Sequence, residues 1–240
     1  MKILSLNANN FLGSTGTKYE FSNLREWANW RVENFDFILN NIVNISEKIK
    51  ELSPDLIFLF EIDVQEIKWI REKLSPAYEL TTPTKFREHT YQDNRSITLA
   101  FRKKGIEENR VPCNSLDEWL RNIELKANDI SIVGIHRKMD NEHGKDLIND
   151  VRELSKDNKP IVILGDLNIS DNSYEKDKKL IGELEEMGFT HCENNHPTFI
   201  ADTIIDHAFI KGIENYRLNA TTTIIKEGLS DHEALILTIE

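Results

Sequence analysis

Asp166 and Asn168 stand two positions apart at the end of an aliphatic run, within IVILGDLNIS over residues 161–170. The run from Ile161 to Leu164 reads as a buried strand that Gly165 breaks. In extended chain, residues two apart share a face, so a carboxylate and a carboxamide emerge side by side. Sheet ends of this kind are where α/β proteins usually build their active sites. Asp166 suits a group that orients or deprotonates a water, and Asn168 one that donates to an oxyanion without adding negative charge. Gly, Asp and Asn are also ordinary turn residues, so this stretch by itself reads equally as a turn after a strand.

Residues of the same chemical kind recur along the chain. Asn7, Glu61, His136, Asp206 and the pair Asp231–His232 each fall at or near the end of a predicted strand. Adjacent strands can gather such residues at one rim. Oxygen ligands such as Glu61 and Asn7 suit magnesium, manganese or calcium rather than zinc. Paired Asp and His supply acid–base function near neutral pH.

The elements that must position these residues alternate between strand and helix. Strands are predicted at residues 1–6, 55–60, 78–82, 96–102, 161–164, 203–210, 216–225 and 234–239, with a further pair over 123–136 turned at Asn128-Asp129. Ser22 is read as the cap of a helix that includes Glu26. Ile38, Ile42, Ile45 and Ile49 recur at helical spacing, and Pro54 ends that helix at Ser53. Trp27, Trp30, Phe35 and Phe37 add bulk and are expected in the core. Shorter helices are predicted at 64–74 and 141–154, and another around Leu180, Leu184 and Met187 that stops at Gly188. No repeat, low-complexity tract or Pro/Gly-rich linker interrupts the chain, so residues 1–240 are expected to form one mixed α and β domain.

Composition narrows the function classes. With 39% hydrophobic and 30% charged residues, the chain is of globular rather than disordered type. No apolar run approaches the roughly 20 residues that span a bilayer, and stable membrane insertion is not expected. The start, MKILSLNANNF, is too short and too quickly polar for a secretory signal. Cys113 and Cys192 are the only cysteines, lie far apart and form no CxxC pattern; free thiols in a cytoplasmic protein are expected, with one disulfide as the alternative. A net charge of −11 argues against gripping nucleic acid through a general basic surface, though not against a local basic patch.

The chain resembles the metal-dependent endonuclease/exonuclease/phosphatase family. The matching pieces are KILSLNAN, PDLIFLFEI, IVGIH, IVILGDLNIS, TIIDHAFI and LSDHEALILTI, which run from first strand to last in the family's order. GDLN and SDHEAL are the most specific of them. The resemblance implies a four-layer α/β/β/α sandwich, two packed mixed sheets flanked by helices, as in deoxyribonuclease I. It further implies that Glu61 is the main carboxylate ligand of a catalytic magnesium, with Asn7 beside it and Asp231 near enough to share that duty. Asp166 would activate the attacking water and Asn168 would contact the phosphate. His232 would act on the phosphoryl group or the water, oriented by Asp206. His136 falls where several branches carry a histidine that contacts phosphate or protonates the leaving oxygen, whereas abasic-site enzymes tend to carry tyrosine there. The acid and base tasks stay open between Asp166 and the two histidines.

One departure bears on the metal count: Asn9 is followed by Asn10-Phe11 where many family nucleases have glycine, which leaves a second metal site in doubt. His143, His191 and His196 are read as surface residues. Magnesium is the expected ion, with manganese or calcium as alternatives. The expected substrate is nucleic acid, small or single-stranded in view of the acidic charge, gripped locally by Lys85, Arg87, Arg95, Arg102 to Lys104, and Arg137-Lys138. A phosphatase or phospholipid phosphodiesterase on the same site and a silent binding module are the alternatives. No obligate protein partner is implied.

Overall fold

Where the sequence concentrates aliphatic and β-branched residues, the described part of the chain forms two mixed six-stranded sheets. The computed structural model describes residues 1–14, 24–82, 97–106, 111–116, 122–137, 141–169, 175–194 and 196–240. The first sheet is built from β1 (Lys2–Asn7), β2 (Leu56–Ile62), β3 (Tyr78–Leu80), β4 (Ile97–Lys103), β11 (Tyr216–Ala220) and β12 (Leu235–Ile239), in the order β11-β12-β1-β2-β4-β3. The second takes β5 (Cys113–Ser115), β6 (Asn122–Ala127), β7 (Ile130–His136), β8 (Ile161–Asp166), β9 (Thr190–Cys192) and β10 (Asp206–Lys211), in the order β5-β6-β7-β8-β10-β9.

Each sheet contains one parallel pair near its centre, β1 with β2 and β7 with β8. A parallel pair needs a long crossover, and helices supply both. Helices α1 (Leu24–Glu33) and α2 (Phe35–Leu52) lie between β1 and β2, and α4 (Asn141–Leu154) lies between β7 and β8. Helices α3 (Ile67–Leu74) and α5 (Glu175–Glu186) complete the set among the described residues.

Strand alternation sorts the apolar side chains into three layers. Ile3, Leu56, Phe58, Phe60, Val162, Leu164 and Ala208 pack between the sheets. Leu4, Leu6, Ile57 and Leu59 face Ile38, Ile42, Ile45 and Ile49 of α2. Val133, Ile161, Ile163 and Phe209 face Leu147, Val151, Leu180 and Leu184 of α4 and α5. The layers therefore run helix, sheet, sheet, helix, the sandwich the sequence resemblance implies. The sheets approach closely at Gly134, where an added Cβ would lie 2.1 Å from the Phe58 ring.

Several elements differ from expectation for local reasons. The helix around Ile38 forms as expected, starting at Phe35, where Asn34 takes a non-helical φ of −109° and its Nδ2 donates to Trp30 O at 2.9 Å, parting α2 from α1; other residues fall elsewhere than expected. Phe35 and Phe37 are not core, being 41% and 44% exposed. On a 3.6-residue period Phe37 lies about 100° from the isoleucine stripe, and Phe35 sits at its margin against the edge of Trp69. The strand predicted over 216–225 ends at Ala220. There Glu233 accepts hydrogen bonds from Thr221 Oγ1 and from the backbone N–H of Ile224 and Ile225, which curls the chain away from the sheet. The predicted strand over 203–210 begins only at Asp206. Strands β5 and β9 are three residues each, too short to leave an alternation in the sequence. Ser22 lies outside the described residues.

Candidate active site

Register aligns three of the expected residues. His136 pairs with Asp166 across β7 and β8, and Asp206 pairs with Asp166 across β10 and β8. One row of the second sheet therefore carries His136, Asp166 and Asp206 side by side, at the strand ends. They share the parity of Ile132, Val162, Leu164, Ala208 and Ile210, which face the first sheet. From that sheet Asn7, the last residue of β1, donates Nδ2 to Asp166 Oδ2 at 2.9 Å.

Glu61 reaches the same rim by a different device. Strict alternation along β2 would send it to the helix-covered face with Ile57 and Leu59. Instead β2 carries one extra residue: Leu59 pairs with Leu99 and Ile62 with Ile97, three steps on β2 against two on β4. Glu61 takes a left-handed φ of +52°, and Ile62 fills the place on the outer face. The result brings Glu61 Oε1 to 3.3 Å from His136 Nε2.

Asp166 is buried at the centre. Its Oδ1 accepts from the backbone N–H of Asn168 at 2.9 Å, and its Oδ2 lies 3.8 Å from both His136 Nε2 and His232 Nε2. His232 comes from the turn before β12, where its N–H donates to Ser230 Oγ at 3.3 Å and Ser230 Oγ donates to Asn7 O at 2.7 Å. Its Nδ1 bonds Asp206 Oδ2 at 2.8 Å, and its Nε2 is 3.9 Å from Asp231 Oδ1. The Phe199 ring lies 5.1 Å from the imidazole.

Charge crowding moves several protonation equilibria. Burial drags the His232 imidazolium down, but Asp206, with Asp166 and Asp231 behind it, outweighs that and pushes it up to about 10. Burial also raises the Asp166 carboxyl, against the pull of His232. Asp231 is pushed up to about 6, first by burial and then, against His232, by the carboxylates of Glu61 and Asp166. Buried carboxylates that raise one another make a place for a hard divalent cation, and Asn7, Glu61 and Asp231 supply oxygen donors of the kind such an ion takes. Asp166, Asp206 and His232 also bring ligand atoms within 4.8 Å of one another. Because Asp206 Oδ2 is engaged by His232 Nδ1, that trio is better arranged for holding a proton than an ion.

Beyond Glu61 the chain closes a short 3-10 turn, Val64–Glu66, with a capping box. Asp63 accepts from Gln65 N at 3.0 Å, and Glu66 accepts from Asp63 N at 3.1 Å. Arg31 Nη1 on α1 lies 2.8 Å from Glu66 Oε1 and 3.7 Å from Asp63 Oδ2. Two carboxylates thus share one guanidinium, and the buried cluster is neutral when one acid keeps its proton. Burial pushes Glu66 from 4.5 up to about 8, with Arg31 opposing and Asp63 adding to the rise. Between those values the folded chain binds a proton that the unfolded chain has released. Stability is therefore expected to fall as pH rises through the window, by up to about 1.4 kcal/mol per pH unit. Urea unfolding across that window checks this, and Glu66→Gln should flatten the slope; an unchanged slope would assign the proton elsewhere.

Other expected residues are placed differently. Asn168 Nδ2 donates to Arg137 O at 2.7 Å, so one of its two amide hydrogens is engaged by the protein. Arg137 is not a surface grip: it is buried, and its Nη1 donates to Leu167 O at 3.1 Å beneath the loop carrying Asn168. Arg102 pairs with Leu56 at the start of β2, the end opposite Glu61, and its side chain is tied to Glu79. Arg102 to Lys104 therefore lie away from the site. Lys85, Arg87, Arg95 and Lys138 fall outside the described residues, as does the side chain of His143. His196 is exposed, but His191 is half-buried and bonds His207 Nδ1 at 3.1 Å, while His207 Nε2 donates to Ile169 O at 2.8 Å. Sequence reasoning missed His207, Ser230 and Asn10 as supports of the site. The run NANN and the serine of SDH were the available signals.

Two packed mixed sheets flanked by helices form a fold that other solved proteins have. Solved structures that share it include an endonuclease/exonuclease/phosphatase from Bacteroides vulgatus, with a TM-score of 0.67, 14% identity, and 100% of this chain and 98% of that chain covered. An AP endonuclease from Archaeoglobus fulgidus gives 0.66 and 15%, covering 100% and 99%. A mannosyl-6-phosphatase from Bacteroides thetaiotaomicron gives 0.62 and 12%, covering 100% and 99%. The chain belongs to the Endonuclease/Exonuclease/phosphatase family, whose profile matches residues 4–232. No curated protein matches the sequence.

Proposed function

We propose that residues 1–240 act as one catalytic domain that hydrolyses phosphodiesters with a divalent cation, magnesium first, and that nucleic acid is its substrate. One observation carries the reading: a buried Asp166 held by Asn7 and flanked by two histidines, one of them bonded to Asp206. Asp166, its basicity raised by burial, takes a proton from the attacking water. His232 holds its own proton through Asp206 and presents a cation to the charge that develops on the nonbridging oxygens. Asn168 donates its second amide hydrogen to the same phosphate. His136, beside Glu61, contacts the phosphate or protonates the leaving oxygen. Glu61, Asn7 and Asp231 hold the cation, which when bound supplies Lewis-acid stabilisation of the phosphoryl charge.

Nucleic acid is favoured because similar folds include an AP endonuclease and the endonuclease domain of a telomere-specific retrotransposon. A net charge of −11 favours small or single-stranded substrates, and makes a compact phosphate monoester the second reading. A cytoplasmic setting fits the free thiols of Cys113 and Cys192. Among the described residues no helix is long and apolar enough to cross a membrane.

The test is hydrolysis of supercoiled plasmid, a single-stranded oligonucleotide and a small phosphate monoester, in magnesium with and without chelator. Chelator-sensitive cleavage of nucleic acid is the expected result. Monoester release alone would replace it with the phosphatase reading, and turnover indifferent to chelator would overturn the metal assignment.

A further inference from the structure

Asn9, Asn10 and Phe11 form a buried turn in which three successive non-glycine residues take left-handed φ values of +44°, +49° and +57°. Such a run is costly and persists only where the surroundings over-determine it. Here Asn9 N donates to Asn7 Oδ1 at 2.9 Å and Asn9 Nδ2 to Gly13 O at 3.1 Å. Asn41 of α2 donates Nδ2 to Phe11 O at 3.0 Å from the other side. The turn delivers one side chain to the rim: Asn10, 3% exposed, places Nδ2 3.2 Å from Glu61 Oε2. An ionised carboxylate only accepts, so the amide nitrogen of Asn10 must be the atom that faces it. Glu61 is itself held left-handed by the bulge in β2, so two strained residues meet across this bond.

The geometry points to Asn10 as a positioning residue that hydrogen-bonds Oε2 of Glu61, so that Oε1, which faces His136 Nε2 at 3.3 Å, is the oxygen presented to a divalent cation. This rests on the metal-assisted reading above. The consequence is ion selectivity. Magnesium and manganese take carboxylates through one oxygen in a compact octahedron, whereas calcium is larger and gains from carboxylates that bind through both. A hydrogen bond that competes for Oε2 therefore works against calcium more than against the smaller ions. Glycine at this position would keep the left-handed turn and offer no such bond.

Calorimetric titration of the whole chain with manganese, magnesium and calcium chlorides tests this on the wild type, Asn10→Gly and Asn10→Asp, with circular dichroism to establish that each is folded. Glycine tolerates the +49° backbone, and aspartate preserves the shape while removing the donor. Both variants are expected to gain calcium affinity relative to manganese by about tenfold, the worth of one hydrogen bond to a charged group. Difference infrared spectra with labelled glutamate should show carboxylate bands moving from the one-oxygen to the two-oxygen pattern when calcium binds the glycine variant. A calcium-to-manganese ratio unchanged in both folded variants overturns the role of Asn10 and leaves the hydrolase reading standing. Failure of the wild type to bind any of the three ions overturns both.

Discussion

Asp166→Asn is expected to lower turnover by about a thousand-fold while the protein stays folded and keeps its affinity for divalent cations within a few-fold. The two side chains have the same shape, so packing around the buried residue is preserved. What changes is charge and hydrogen-bond sense. Asp166 accepts at both oxygens, from Asn7 Nδ2 and from the backbone N–H of Asn168. An amide in its place can satisfy one of these donors and must oppose the other, at a cost of about 1–3 kcal/mol. That cost is offset in part because a buried carboxylate no longer has to be desolvated. In the proposed mechanism, the oxygen that takes the proton from water is lost outright. Single-turnover hydrolysis with saturating cation separates the chemical step from binding. Retention of more than about a tenth of the wild-type rate would remove Asp166 from the role of base.

The second large effect belongs to the Asp206–His232 pair. Asp206→Asn and His232→Gln are each expected to slow hydrolysis by about a hundred-fold or more, and the double variant to be little slower than the worse single one. The reason is the 2.8 Å bond between His232 Nδ1 and Asp206 Oδ2: the two residues act as one proton-holding unit. Sign can be checked as well as size. Asp206 is the foremost charge keeping His232 protonated up to about 10, so its neutralisation lowers the pH at which the imidazole loses its proton. The high-pH loss of activity in Asp206→Asn should move toward neutral pH, and the His232 ring signals in an NMR titration should move with it. Strict additivity of the two substitutions, with an unmoved pH profile, would mean that the pair is structural.

Much of this was readable in the residues. His136, Asp166 and Asp206 end strands whose apolar runs are plain, and pairing those strands in register aligns them without further instruction. The burial of α2 follows from the interval between its isoleucines. The readings that failed did so where a local feature was overruled by a distant one. Arg102 and Arg137 look alike in sequence as exposed cations, yet one pairs with Glu79 at the far end of its sheet and the other is buried under Leu167. Charge alone carries no information about which end of a strand a residue occupies.

While the four layers came only as an implication of the family resemblance, the sequence by itself determined the alternation of strand and helix in one mixed α and β domain and the set of oxygen and imidazole groups at the strand ends. Those depend on periodicity and residue type, which act over a few neighbouring positions. Only the tertiary structure decided how Glu61 joins them. Alternation along β2 would have turned its carboxylate under the helices, and an extra residue opposite β4 turns it back toward His136. Tertiary contact also decided that Asn10 reaches Glu61, and that Asp166 is buried deeply enough for its neighbours to govern its proton. A bulge and a left-handed turn are stabilised by contacts tens of residues away, so no window of the chain announces them.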